Sequence, residues 1–390
     1  MITRVVAAVL AVVLAATGCG ESVDATRSAD RHGTSVVAPA TTMAPQITGR
    51  LDSAVERVID EAGIPGAIIG IWTPDGDYVR AFGVADKKTR APMKTDLFSR
   101  IGSQTKAFTV TAVLLLADQG RLGLDDPVAR YVEGVPGGQR ITLRQLARMQ
   151  SGLPDYSADP GFARAVYDDP RRSFTPRELL DYAFSRPPSF APGDGFEYCN
   201  TNTVLLGLVV EKVSGRTMAE FLREHVTGPL GMTGTSFPTD SRFPRPHAAG
   251  YTMQTADGRE TTATDWNPSW AWAAGNMIST LHDMRIWAPA LATGSLLTPQ
   301  MQQERLQTVD RSGAPAPQGY GLGVFDVAGW IGHNGSLPGY QTVSVHLPER
   351  EASLVILVNT DIAFRGADPG TLLATAITGE LTPDHVYRID

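Results

Sequence analysis

The chain has 390 residues, 42% of them hydrophobic, 19% charged, and a formal net charge of −7. This much apolar content supports a sizeable core and excludes disorder over most of the length. The acidic balance excludes an electrostatic nucleic-acid footprint. With only two cysteines, Cys19 and Cys199, a disulfide framework or a cysteine-rich metal site is excluded too.

At the N-terminus, Arg4 precedes the uncharged run from Val5 to Ala16. That run is too short to cross about 30 Å of hydrocarbon as a helix, and with small residues behind it residues 1–18 read as a secretory signal. Thr17-Gly18-Cys19 resembles a bacterial lipobox, which implies that Cys19 is acylated and becomes the mature N-terminus. The expected location is outside the cell, with the protein held to the outer face of the cytoplasmic membrane by a lipid on Cys19. Residues 19–47 are small, polar and free of aromatics, and read as a flexible tether. The folded domain is expected over 48–390.

Leu51, Val55, Val58, Ile59 and Ala62 share one helical face, and Gly63 can end that helix in a left-handed conformation. Two apolar runs, Gly66–Trp72 and Asp77–Val84, joined through Asp75-Gly76, predict a β-hairpin. A second strand pair is expected at Val343–Leu347 and Ser353–Val358, followed by a helix from about Pro369 to Gly379. Between these ends the chain is mostly helical. Thr142, Thr175 and Thr217 each precede a Gln or Glu by three residues, the pattern of a reciprocal capping box. Strands at both ends with helices between predict an α/β (α+β) fold: one antiparallel sheet, flanking terminal helices and an inserted all-helical region. The sheet part is assigned to 48–98 plus 265–390 and the helical part to 99–264. A cleft between them is the expected site.

Three segments could carry chemistry. In the first, Ser103 begins an apolar helix that runs to Gly120, and Lys106 lies three residues on, on the same helical face. Free N–H groups in a first turn favour developing negative charge, and a nearby amine can take a serine proton. The second is Tyr198-Cys199-Asn200, on a loop before the apolar run Val204–Val213. Tyr198 can pass a proton to a leaving group and Asn200 can hold an amide. The third is Gly332-His333-Asn-Gly335-Ser336-Leu-Pro-Gly339, a glycine-rich stretch before the strand at Val343. Gly335 lets a substrate lie close to the backbone, and the Ser336 N–H can complete an oxyanion hole with the Ser103 N–H. No Gly-x-Ser-x-Gly, His-Glu-x-x-His or Cys-x-x-Cys motif and no phosphate loop occurs, so neither a metal nor a cofactor is expected.

Ser-x-x-Lys, Tyr-x-Asn and a basic residue-x-Gly in this order resemble the penicillin-recognising serine hydrolases: DD-peptidases, class C β-lactamases and their esterase relatives. Leu122–Tyr131, Ile141–Tyr156, Pro229–Met232, Ser269–Ser279 and Gln318–Gly323 extend the resemblance over about 48 to 385. With His333 where β-lactamases usually carry lysine, the chain is most similar to secreted actinomycete D-Ala-D-Ala carboxypeptidases.

The resemblance implies that Ser103 forms an acyl-enzyme and that Lys106 and Tyr198 share proton transfer, either being the base. It implies that Asn200 binds the acyl amide and that the Ser103 and Ser336 N–H groups bind the oxyanion. It places a positive His333 near a substrate carboxylate and Trp270 in the cleft wall. Two positions depart from the pattern: Cys199 replaces serine, and Phe325-Asp326 follow Gly321-Leu-Gly-Val324 where those carboxypeptidases have arginine. The expected substrate is a small peptide, such as a peptidoglycan stem peptide, or an acyl ester or amide. The alternatives to a carboxypeptidase are an esterase or amidase with the same machinery and a catalytically silent envelope-binding protein.

Overall fold

The computed structural model describes residues 42–389. The predicted export signal, Cys19 and the tether up to residue 41 lie outside the described residues. The first helix, α1 (Pro45–Ala62), buries Leu51, Ala54, Val55 and Val58 on one face. Gly63 ends it at φ 65°, its N–H bonded to the Ile59 carbonyl. The helix begins inside the segment read as tether, and Met43 is already buried, so folded structure starts ahead of residue 48.

Strands β1 (Gly66–Thr73) and β2 (Gly76–Gly83) form the predicted hairpin. Thr73 pairs with Gly76, so the connection is Pro74-Asp75 and Gly76 opens the return strand. Strand β3 (Phe98–Arg100) leads into α2 (Thr105–Asp118). The helical region continues with α3 (Leu143–Ala147), α4 (Pro160–Asp168), α5 (Pro176–Phe184), α6 (Asn200–Ser214) and α7 (Met218–Leu222). Thr142, Thr175 and Thr217 cap α3, α5 and α7 through the reciprocal bonds expected of them. Each cap stabilises its helix by about 0.5–2 kcal/mol.

A short hairpin, β4 (Tyr251–Thr252) and β5 (Thr261–Thr262), precedes β6 (Ile278–Thr280), which pairs with β3. Then come α8 (Leu281–Thr293), α9 (Pro299–Arg305), β7 (Gly319–Tyr320), β8 (Phe325–Val327), β9 (Trp330–Leu337), β10 (Tyr340–Leu347), β11 (Ala352–Val358) and α10 (Pro369–Leu381).

The main sheet is antiparallel in the order β2-β1-β11-β10-β9-β8-β7. Strand β11 is buried throughout, and its alternation divides two cores. Leu354, Ile356 and Val358 join Val55, Leu373 and Ile377 of α1 and α10. Val355 and Leu357 join the core that holds α2 and α8. There Phe108 stacks on Trp287 with ring centroids 3.8 Å apart, tying the helix after Ser103 to the one that lies on the sheet. Helix α2 is buried on almost every side. Such an all-round apolar helix makes a rigid mount for side chains at its N-terminus.

Candidate active site

Ser103 sits in a single 3₁₀ turn, Gly102–Gln104, that runs directly into α2. One turn on, the fully buried Lys106 places its Nζ 3.0 Å from Ser103 Oγ, 2.7 Å from Asn200 Oδ1 and 2.8 Å from the Ala274 carbonyl oxygen. Burial without an adjoining carboxylate disfavours the ammonium, so the Lys106 pKa falls to about 7. Asp155 opposes this fall through its charge. The Ala274 carbonyl can only accept, as can Asn200 Oδ1. A neutral amine has two N–H bonds; given to these oxygens, they leave its lone pair aimed at Ser103.

Tyr198 lines the cleft beside Ser103, and its ring centroid lies 4.8 Å from Lys106 Nζ. Desolvation raises its pKa well above the ordinary phenol value, although the neighbouring Ser103 acts the other way. It is therefore held as a proton donor. Of the two candidate bases left open by the residue pattern, only Lys106 is poised near neutrality.

Three expectations need correcting. The stretch that reads as a glycine-rich turn at 332–339 is mostly strand, β9. What approaches Gly335 is protein: a Cβ there would meet the Ile101 carbonyl oxygen at 1.9 Å. Gly102, at φ 55°, abuts Ser336 in the same way, with the Ser336 nitrogen 2.6 Å from a hypothetical Cβ. The two glycines let β9 and the Ser103 turn interlock, bringing the Ser336 N–H beside the turn that carries the Ser103 N–H. The β8 ladder ends at Gly332, so the rest of β9 runs along this turn.

His333 is not a cation. It is fully buried among Tyr198, Tyr320 and Phe325, and desolvation lowers its pKa to about 3. Its Nδ1 lies 2.5 Å from the Asn334 carbonyl oxygen, which can only accept. The neutral ring is therefore protonated at Nδ1, and Nε2 accepts from the Tyr320 hydroxyl at 3.2 Å.

Asn200 lines the cleft, but both hydrogens of its amide are spent inside the protein rather than free for a substrate. Its Nδ2 donates to Asp155 Oδ2 and Ser157 Oγ, both at 3.0 Å, while Oδ1 holds Lys106. Cys199 points away from the cleft; its Sγ faces the Leu153 carbonyl at 3.3 Å and burial pushes its pKa up to about 12. No proton path runs through it.

A cleft of about 230 Å³ opens over Ser103. Tyr198, Asn200, Ser157 and Gln254 give it polar edges, Phe162, Val166, Tyr167 and Trp270 an apolar wall, and Ser336 to Pro338 the β9 side. Trp270 lines this wall, with Phe162 at a centroid distance of 6.0 Å. The described residues that line the cleft include no Asp, Glu, Lys or Arg. A larger hollow of about 720 Å³ lies behind Tyr198 against Phe325 and Asp326, and Ser103 does not line it. Asp155, Ser157, Phe162 and Gln254 had no role in the residue pattern; of these, only Asp155 fell within a segment that carried the resemblance.

The beta-lactamase family profile matches residues 51–376. The chain belongs to the beta-lactamase family. Within that family it is 31% identical over 338 residues to a D-aminopeptidase of Cereibacter sphaeroides, covering 85% of this chain and 63% of the relative. The chain thus spans less than two thirds of that relative's length. It is 26% identical over 327 residues to penicillin-binding protein 4* of Bacillus subtilis, covering 80% of this chain and 71% of the relative. Among solved structures it is similar to a D-stereospecific amidohydrolase from Streptomyces sp., with TM-score 0.76 and 30% identity over 86% of this chain and 99% of that one. The fold is the β-lactamase/DD-peptidase one, and the family is that of penicillin-recognising serine hydrolases.

Proposed function

We propose that this family member is an exported serine hydrolase that cleaves amides or short peptides of apolar D-amino acids by acyl transfer through Ser103. The observation that carries this reading is the chemistry of the cleft: an apolar wall of Phe162, Val166 and Trp270 with no Lys or Arg among the described residues that line it, beside a neutral His333. A D-Ala-D-Ala carboxypeptidase has to hold a terminal carboxylate, and a charge-assisted contact of that kind contributes about 1.5–3 kcal/mol. The names of the D-aminopeptidase and the D-stereospecific amidohydrolase support the same substrate class.

Lys106 takes the Ser103 proton as Oγ attacks the substrate carbonyl, and the oxyanion sits between the Ser103 and Ser336 N–H groups. Collapse breaks the C–N bond, and the departing amine receives a proton passed from Lys106 by way of Tyr198. Lys106 then takes a proton from water as its oxygen attacks the acyl carbon; the ester C–O bond breaks, the acid leaves, and Lys106 returns the proton to Ser103 Oγ. The apolar wall receives the substrate side chain, while its amino nitrogen faces Ser157 and Gln254.

The test compares kcat/KM for D-phenylalanine p-nitroanilide, its L-isomer and an N-acylated peptide ending in D-Ala-D-Ala. The D-anilide should be the best substrate, and the carboxylate-ended peptide at least about tenfold poorer. Preference for the carboxylate-ended peptide would return the reading to a carboxypeptidase. Export and anchoring belong to the same proposal: fatty-acid labelling and membrane association should both vanish in Cys19→Ala.

A further inference from the structure

Asp155 occupies a place the proposed chemistry leaves unexplained. It caps the 3₁₀ turn Tyr156–Ala158 through the Ser157 N–H at 2.9 Å, and its Oδ1 also accepts the Ser157 hydroxyl at 2.9 Å. Its Oδ2 receives both the backbone N–H of Asn200, at 3.1 Å, and the Asn200 side-chain Nδ2, at 3.0 Å. An ionised carboxylate can only accept. It therefore forces the donor end of the Asn200 amide toward itself and the oxygen end toward Lys106.

We propose that Asp155 is a positioning residue that locks the Asn200 amide in one of its two orientations, and thereby directs the Lys106 lone pair at Ser103. Suppose the amide turned over. Oδ1 would then face the Asp155 carboxylate, lone pair against lone pair, and an N–H of Nδ2 would point at Lys106. The amine's lone pair would accept that N–H, and one of its own hydrogens would turn to Ser103. Lys106 would keep its place and cease to be a base toward Ser103. Geometry is the device, since nothing covalent changes. Asp155 and Cys199 act on Lys106 through charge, Lys106 acts in turn on His333, and the Tyr198 ring lies 4.8 Å from Nζ; of these groups only Asp155 is a carboxylate.

This inference rests on Ser103 being the nucleophile, so its test uses a substrate that makes no demand on the cleft wall. The burst of p-nitrophenol from p-nitrophenyl acetate is followed in wild type, Ser103→Ala, Asp155→Asn, Asn200→Ala and the Asp155→Asn/Asn200→Ala double variant, across pH 5–9. Asp155→Asn should slow acylation roughly tenfold or more with little change in KM. Its acid limb should move to lower pH, because the charge that favours the Lys106 ammonium is gone. In the Asn200→Ala background the same change should cost less than about twofold, since a residue acting through Asn200 has nothing left to act on.

Equal cost in both backgrounds would mean a structural role and overturn the proposal; so would an unchanged rate and acid limb in Asp155→Asn. If thermal melts show that Asp155→Asn does not fold, Ser157→Ala serves instead. It removes the other acceptor of Asn200 Nδ2, and a smaller loss in the same non-additive pattern is expected. A wild-type burst that persists in Ser103→Ala would remove the serine-hydrolase reading itself, separately from any effect at Asp155.

Discussion

Gly335 of β9 and Ile101, two residues before Ser103, meet so closely that any side chain on the glycine would collide with the Ile101 carbonyl oxygen. The Thr342 hydroxyl donates to that same oxygen at 3.0 Å and accepts from Gln104 Nε2 at 2.8 Å. The nucleophile turn is thus fastened to the sheet from both of its ends. This contact sets the distance between the Ser103 N–H, which belongs to the helical side, and the Ser336 N–H, which belongs to the sheet.

Gly335→Ala should therefore harm activity far more than folding. Overpacking of this kind costs about 1–3 kcal/mol of stability. Displacing reacting groups by about 1 Å can cost roughly a hundredfold in rate. A thermal melt alongside kcat on a simple ester checks both halves, and a variant with near-normal kcat would show that the interlock does not set the site.

The pH profile should report Lys106. With its pKa near 7 and the free amine as the active form, kcat/KM should fall about tenfold per pH unit well below that value and level off above it. Tyr198, raised by burial, should add no limb below the ordinary phenol range. Replacing Lys106 by methionine removes the limb together with the activity.

His333 should stay neutral from pH 5 to 9. Nitrogen-15 NMR of the labelled ring is expected to show one tautomer, protonated at Nδ1, throughout. Tyr320→Phe removes the donor to Nε2, and leaving a buried acceptor unmatched should cost about 1–3 kcal/mol. A titration of His333 near its ordinary value would restore the cationic role that residue type alone suggests.

Trp270→Ala should lower kcat/KM for D-phenylalanine substrates while sparing those of D-alanine. An apolar contact of this size is worth about 1–3 kcal/mol in discrimination. An equal loss on both substrates would place Trp270 in the support of the cleft and not in contact with the substrate side chain.

Much of this architecture is legible along the chain because it is local. The three capping boxes, the left-handed end of α1 at Gly63 and the 3.0 Å approach of Lys106 to Ser103 all follow from spacings of three or four residues. What escapes is tertiary. The glycines at 332 and 335 look like a turn, yet they are strand positions kept bare by the Ser344 and Ile101 carbonyls pressed against them. His333 reads as a cation until burial among three aromatic rings removes its charge. Asp155 reads as one acidic residue in a turn, because its bond to Asn200 joins segments 45 residues apart.

The most direct test of the central claim is the intact mass of the protein, acid-quenched within its first turnovers of an activated D-phenylalanine ester. The account predicts a D-phenylalanyl adduct on the peptide containing Ser103, absent from Ser103→Ala. Turnover that survives in Ser103→Ala, or an adduct on any other residue, would contradict it.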